Sequence, residues 1–168
     1  MADYYSPTVI PEIIPNADMT PLEQLLLSNM FENDSDGTGT YFHSWQGPSD
    51  LIWVDAEKLR EALDASREVG SQVFSYIEDR SKSTEEDGGN VELDMSGTSW
   101  EFILQDIVRR SATLRYISVT TAFTCSKMRS DGFGGMALFI TDEEIKTCST
   151  IEFLTDCLTE IASRPTKG

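Results

Sequence analysis

The sequence predicts an α+β fold: a single compact domain with a mostly antiparallel sheet of about five strands and four helices. Two observations predict it. Apolar residues recur with helical spacing in four segments, and short alternating segments lie between them, two pairs of which are typical of hairpins. Interleaved hairpins and helices favour a mostly antiparallel sheet over a doubly wound one. The chain has 168 residues, 39% of them hydrophobic, which is enough for one core.

Capping boxes mark the first and last helices. Residues 20–23 (Thr-Pro-Leu-Glu) place proline at the first helical position, and Ser149 with Glu152 begins the last helix in the same way. A second helix is expected from the N-cap Asp55 to about Ile77, and a third begins near Ser99. We expect the last helix to face inward with Ile151, Leu154, Leu158 and Ile161.

Strand signals lie between these helices. The turn residues 46–48 (Gln-Gly-Pro) predict a hairpin between the first two strands, and the glycine-rich loop 129–135 predicts another between the last two. The predicted strands are 40–44, 50–54, 90–95, 114–125 and 136–140.

The chain divides into residues 1–19, an extended N-terminal arm, residues 20–163, the single α+β domain, and residues 164–168, a C-terminal tail. Proline at every fourth position of the arm (Pro7, Pro11 and Pro15) is incompatible with a helix. The apolar residues of the arm need a surface to cover. That surface belongs either to the parent domain or to a second subunit, which leaves a homodimer through the arm open.

No secretory signal and no apolar run of about 20 residues is present, so we expect a cytoplasmic protein that neither spans nor binds a membrane. The three cysteines are odd in number and lack metal-ligand spacing, which is typical of reduced thiols. Residues 32–37 (Glu-Asn-Asp-Ser-Asp-Gly) resemble the start of a calcium loop, but His43 stands where the bidentate glutamate belongs. We therefore expect no metal and no cofactor.

Enzyme motifs are also missing: the sequence has no P-loop, dinucleotide fingerprint, nucleophile elbow or zinc-protease motif. His43, the only histidine, lies in a predicted hairpin, and Cys125 lies on the inward side of its strand. Nothing in their spacing supports a pair of nucleophile and base, so we predict no catalytic residues.

Charge is distributed unevenly. The net charge is −16, and the first 57 residues contain ten carboxylates without any Lys or Arg. Residues 109–130 reverse this, with five basic residues and no Asp or Glu. Solubility alone requires only that positively and negatively charged residues be mixed over the surface. The segregation favours complementary surfaces for a partner, or else two segments that neutralise each other inside the fold.

If the acidic residues share one face, the protein is a non-catalytic interaction protein that binds a basic partner. Carboxylates can occupy a basic groove in place of phosphates, so a nucleic-acid mimic or an inhibitor is possible, without direct binding to nucleic acid. The candidate contacts of this acidic face are Glu32, Asp34, Asp36, Glu85, Glu86, Asp87, Asp142, Glu143 and Glu144.

In the alternative hypothesis, the basic residues of segment 109–130 form the binding site. A small-anion-binding domain or a small enzyme would hold phosphate or carboxylate between the end of a helix and a glycine-rich loop. The same residues also suit a helix C-terminus and a turn without any ligand. The candidate anion contacts are Arg109, Arg110, Arg115, Lys127 and Arg129.

The chain also resembles a family of small acidic proteins encoded on bacterial plasmids and integrated mobile elements. The resemblance covers nearly the whole chain, including the proline-spaced arm. It implies a context in which proteins that counter host restriction or CRISPR systems are common, but no functional residues. It lies in the phrases MTPLEQLLLSNMF, GPSDLIW, SGTSWEFILQDIVRRS and AFTCSKMRSDGFGGMA.

Overall fold

The computed structural model describes residues 2–81 and 86–164, within which the chain forms ten strands, five α-helices and a 3-10 turn at Asn16–Asp18. The strands are β1 (Tyr4–Tyr5), β2 (Thr8–Pro15), β3 (Glu32–Ser35), β4 (Gly39–Ser44), β5 (Leu51–Asp55), β6 (Glu86–Asp87), β7 (Asn90–Asp94), β8 (Ile117–Cys125), β9 (Gly134–Ile140) and β10 (Ile145–Ser149). The helices are α1 (Pro21–Met30), α2 (Ala56–Ser66), α3 (Gln72–Ser81), α4 (Trp100–Arg110) and α5 (Thr150–Ala162).

Two antiparallel sheets organise the described residues. The large sheet has the order β10-β9-β8-β2-β4-β3, with β1 paired to β8 as its seventh strand. The small sheet has the order β5-β7-β6. The alternation of buried and exposed residues gives the large sheet an inner face in the core and an outer face towards solvent.

The N-terminal arm contributes a central strand to the large sheet, so the parent domain covers the inward side of that strand. Ile10 and Ile14 are fully buried in the core of their own chain. Pro11 has no N–H for the ladder, and the pairing of β2 with β4 shifts register between Ile10 and Ile14. The Glu12 carboxylate accepts bonds from the Ser118 backbone N–H (3.0 Å) and hydroxyl (2.8 Å), which connects β2 to β8 beyond their two paired residues.

The predicted helix caps are confirmed. Thr20 and Glu23 form a capping box at α1, and Ser149 with Glu152 forms another at α5. Asp55 accepts bonds from two backbone N–H groups at the start of α2. These caps depend on residues within one turn, which is why the sequence alone predicts them.

The predicted helix from Asp55 to Ile77 is wrong, because the chain forms two helices there. Helix α2 ends at Ser66, and Gly70 takes a φ of +64°, in the left-handed region that ends helices. Helix α3 then begins at Gln72, whose backbone N–H donates to Asp106 on α4 at 2.8 Å.

The predicted hairpin of 40–44 with 50–54 is also wrong. Strand β4 pairs with β2 and β3, whereas β5 pairs with β7 in the small sheet. The segment between them leads from one sheet to the other, and its Ser49 N–H donates to the Met30 carbonyl at the end of α1. An alternating pattern of apolar and polar residues predicts a strand. It does not predict which strand will pair with it, because that choice depends on tertiary packing.

The last helix corrects another expectation. Its apolar positions were expected to face inward, but no residue of α5 is buried. The large side chains of that stripe are 59–70% exposed, although the helix contacts β9 and β10. The helix therefore lies against the edge of the sheet with its apolar stripe exposed.

The expected fold class is confirmed: the chain is one compact α+β domain with a mostly antiparallel sheet. The expected counts of about five strands and four helices were too low. In the described part of the chain, every helix falls short of the length and apolarity needed to cross a bilayer.

Candidate functional site

The nine acidic candidates do not share one face. Three of them, Glu32, Asp34 and Asp36, lie together on edge strand β3 and in the turn after it. Asp142, Glu143 and Glu144 form the turn between β9 and β10, at the opposite edge of the large sheet. Five strand spacings of about 4.8 Å place these edges about 24 Å apart.

The remaining acidic candidates belong to a third location. Asp87 ends β6, in the small sheet, where it pairs with Asn90. Glu85 lies outside the described residues, and of Glu86 the structure describes only the backbone, in β6. The β3 group and the turn between β9 and β10 hold three candidates each, and the β3 group differs in lying beside aromatic and apolar side chains instead of arginines.

Two carboxylates of β3 and two aromatic rings of β4 share the outer face of the sheet. Glu32 lies opposite His43 and Asp34 opposite Tyr41 in the ladder with β4. Glu32 Oε2 lies 3.4 Å from His43 Nδ1, and Asp34 Oδ2 lies 3.4 Å from His43 Nε2. The Tyr41 and His43 rings are 5.2 Å apart. The Glu32 and Asp34 side chains remain 60% and 83% exposed, so a partner can reach them.

Asp36 is held in one orientation by the turn that follows β3. Its Oδ1 accepts the Thr38 N–H (2.9 Å), the Thr38 hydroxyl (2.8 Å) and the Gly39 N–H (3.0 Å). These bonds, the one from Gly39 foremost, hold the pKa of Asp36 below its ordinary value. The site thus contains a negative charge with a fixed position.

A pocket of about 290 Å³ lies at this edge, and we call it the edge pocket. Its apolar part comes from Ile13 on β2 and Tyr41 on β4, and its charged part from Asp34 and Asp36. Gly39 permits the close approach of β2, since a Cβ there would lie 2.5 Å from Ile13 Cγ2. The pocket combines an apolar wall with two carboxylates, which is the chemistry that a lysine or arginine side chain requires.

The five basic candidates are also divided. Arg109 and Arg115 line a cavity of about 550 Å³ that Asp142, Glu143 and Glu144 line as well. Arg109 pairs with Asp106 at 3.2 Å and donates from Nε to the Asp142 carbonyl at 2.8 Å. Three carboxylates in the same cavity repel an added anion, so this geometry does not favour phosphate binding.

The other basic residues lie elsewhere. Arg110 pairs with the buried Glu23, which brings one residue of the acidic segment and one of the basic segment together inside the fold. Arg129 pairs with Asp131 at 3.5 Å. Arg115 precedes β8, whereas Lys127 and Arg129 follow it. The length of the strand, about 30 Å, separates them. The five positions therefore do not form one anion site.

No metal or nucleophile site emerges in residues 2–81 and 86–164. No group of three or more His, Cys, Asp and Glu in these ranges is placed to hold a metal ion. Cys125 is buried on the inner face of β8, whereas His43 lies on the outer face of β4, with β2 between the two strands. A thiol and an imidazole in these places cannot act as nucleophile and base.

Comparisons with protein-family models, with curated proteins and with solved structures gave no match. Two residues of the edge pocket, Ile13 and Tyr41, were not predicted from the sequence. Charge identifies Asp34 and Asp36, but the approach of Ile13 depends on the pairing of β2 with β4, which joins residues far apart in the chain.

Proposed function

We propose that this protein is a non-catalytic interaction protein that binds a basic protein partner, and that the edge pocket receives a lysine or arginine side chain of that partner. The observation that carries this proposal is the placement of Asp34 and Asp36 beside Ile13 and Tyr41 in one pocket. Lysine and arginine place their aliphatic stems on apolar surface and keep the charged end with polar groups.

The contacts available to such a side chain are specific. Its stem would lie against Ile13 and the Tyr41 ring, and its charged group would reach the two carboxylates. A guanidinium suits the pair better than an ammonium, because its planar donors can bridge two acceptors. The protein needs no catalytic group for this role.

The position of β3 adds a second means of recognition. It is the last strand of the large sheet, so an extended basic segment can lie along it, as in strand addition. Its exposed carboxylates oppose strand addition by a second copy of this acidic chain, because like charges would then face each other.

The partner class follows from charge. A net charge of −16 attracts basic surfaces over distance and speeds association at low salt. Proteins that bind or cut nucleic acid have such surfaces, and the resemblance to proteins of mobile elements favours the same class. Because the acidic candidates are spread over three locations, the proposal depends on the edge pocket and not on an extended imitation of phosphates.

The test compares two double variants with the same change in net charge. Asp34→Asn/Asp36→Asn removes the carboxylates of the edge pocket, while Asp142→Asn/Glu143→Gln removes two at the opposite edge. With a nona-arginine peptide as probe, we expect the first variant to bind about tenfold more weakly and the second to change less than about threefold. Equal losses would show that net charge alone governs binding and would refute the pocket.

Capture from a bacterial lysate then identifies the natural partner. Wild type and the Asp142→Asn/Glu143→Gln control should both retain one basic protein at low salt and release it as salt rises. The Asp34→Asn/Asp36→Asn variant should fail to retain it. Recovery of the same protein by all three chains would contradict the proposed site.

A further inference from the structure

The apolar stripe of α5 is left exposed by the other described residues of its own chain. The helix follows its N-cap Ser149, which pairs with Met136 on β9, and the Thr150 hydroxyl accepts a bond from the Gly135 N–H at 3.2 Å. The exposed large side chains of α5 are Ile151, Phe153, Leu154, Leu158 and Ile161.

The outer face of the large sheet is a second open apolar surface. Val9 on β2 and Phe139 on β9 are exposed there, and Tyr116 stacks on Phe139 with ring centroids 4.8 Å apart. By contrast, inner-face residues such as Val119 and Leu138 are buried in the core. One side of the sheet therefore packs in the core, and the described residues leave apolar side chains on the other side partly exposed.

A groove of about 380 Å³, which we call the helix groove, lies between these two surfaces. Thr120, Ala137 and Cys148 stand side by side across β8, β9 and β10 and form its floor. These side chains are small, so a helix can approach the strands closely. Phe153, in the first turns of α5, forms a wall of the groove.

We propose that two copies of this chain pair about a two-fold axis, each laying the apolar stripe of its α5 into the helix groove and across the outer face of the other. Both halves of the interface are present on one chain, which is the requirement for a self-complementary dimer. This inference goes beyond the proposed function and does not depend on it.

The dimensions fit. A 13-residue helix is about 20 Å long, close to four strand spacings of about 4.8 Å, so it reaches from β10 to β4. With about 150–200 Å² for each large side chain when fully exposed, the α5 stripe together with Val9, Tyr116 and Phe139 offers about 700–900 Å² per subunit. A stable interface buries about 800 Å² on each partner.

The charge of α5 disfavours a membrane as the occupant. Glu152, Asp156 and Glu160 form an acidic stripe on the side of the helix opposite Leu154, Leu158 and Ile161. Helices that lie on anionic membranes carry basic residues there instead. Since each copy carries a charge of −16, the two copies repel each other, and we expect the dimer to tighten as salt screens this repulsion.

Sedimentation of the full chain across about 1–100 µM tests the proposal. Wild type should form a species of twice 18.8 kDa. Leu158→Asp should weaken the dimer about 100-fold or more, because the symmetry removes the contact twice. The matched control Thr159→Asp adds the same charge on the polar side of α5 and should remain dimeric, whereas Ala137→Glu on the groove floor should dissociate.

The variants keep the proposal open to refutation. Leu158 is 68% exposed in a single chain, so Leu158→Asp should leave the thermal midpoint of the monomer unchanged. A wild-type monomer throughout the concentration range would overturn the proposal, and so would a dimer that neither Leu158→Asp nor Ala137→Glu weakens. At a protein concentration low enough for wild type to be monomeric as well, nona-arginine should bind Leu158→Asp about as tightly as wild type, which separates failure of this inference from failure of the proposed function.

Discussion

Arg110→Leu tests whether the acidic and basic segments of this chain meet inside the fold. Arg110 ends α4, and its Nη2 lies 2.5 Å from Oε2 of Glu23, whose side chain is completely buried in α1. The same Oε2 accepts the Thr20 N–H of the capping box at 2.9 Å. The substitution keeps an apolar stem but leaves this buried carboxylate without its cation.

The expected cost follows from burial. Burial raises the pKa of Glu23 above its ordinary value, and the Thr20 N–H and the Arg110 guanidinium act against that rise. Breaking a buried pair costs about 3–5 kcal/mol, and we expect about 3 kcal/mol because Arg110 itself is 29% exposed. For a domain of this size, that lowers the thermal midpoint by about 6–12 °C.

The cost should depend on pH with a definite sign. A carboxyl whose folded pKa is raised binds its proton more tightly in the folded state, so its contribution to stability is present at low pH and is lost as pH rises through that pKa. Arg110→Leu raises the folded pKa of Glu23 further. The difference from wild type should therefore be largest near neutral pH and shrink as the pH falls towards the ordinary value of 4.5.

Urea unfolding followed by circular dichroism at about pH 5 and about pH 7 measures this difference. The control is Glu23→Gln in the Arg110→Leu background, because a neutral amide keeps an acceptor for the Thr20 N–H. We expect it to restore most of the lost stability at neutral pH. A cost of Arg110→Leu below about 0.5 kcal/mol, or one that neither changes with pH nor responds to Glu23→Gln, would refute the reasoning.

Two further predictions concern the joint between β2 and β8. Glu12→Ala should destabilise the domain by about 1–3 kcal/mol, because the Ser118 N–H loses its acceptor, and Glu12→Gln should cost less; the urea midpoint measures both. Thr8→Val should cost about 1–2 kcal/mol, because the buried hydroxyl of Thr121, 3.0 Å from that of Thr8, loses its partner. The double variant Thr8→Val/Thr121→Val should recover part of that loss, and strict additivity of the two single costs would contradict the coupling.

The sequence predicts those parts of the fold that depend on neighbours in the chain. The capping boxes of α1 and α5 and the hairpin of β8 with β9 each involve residues close together, and the structure contains all of them. The wrong predictions concern distant partners. Helical spacing continues from α2 into α3, although Gly70 separates them, and alternation identifies β4 and β5 as strands without showing that they belong to different sheets.

The candidate site divides in the same way. The uneven distribution of charge identifies Asp34 and Asp36, because the charge of any segment can be counted from the sequence alone. Ile13 and Tyr41 join them only through the register of β2, β3 and β4, which joins residues from three separate strands. The stripe of α5 shows the limit most clearly: apolar spacing predicts that a face is covered, but not whether the cover is the same chain or another one.

The two proposed interfaces respond to salt in opposite directions, because they depend on different forces. Binding at the edge pocket is an attraction between opposite charges and should weaken as ionic strength rises. Pairing through α5 buries apolar surface against the repulsion of two acidic chains and should strengthen under the same change. A basic partner also neutralises part of the charge of −16, which lowers the repulsion between copies. Occupation of the edge pocket should therefore favour the dimer, and by linkage the dimer should bind the basic partner more tightly than the monomer does.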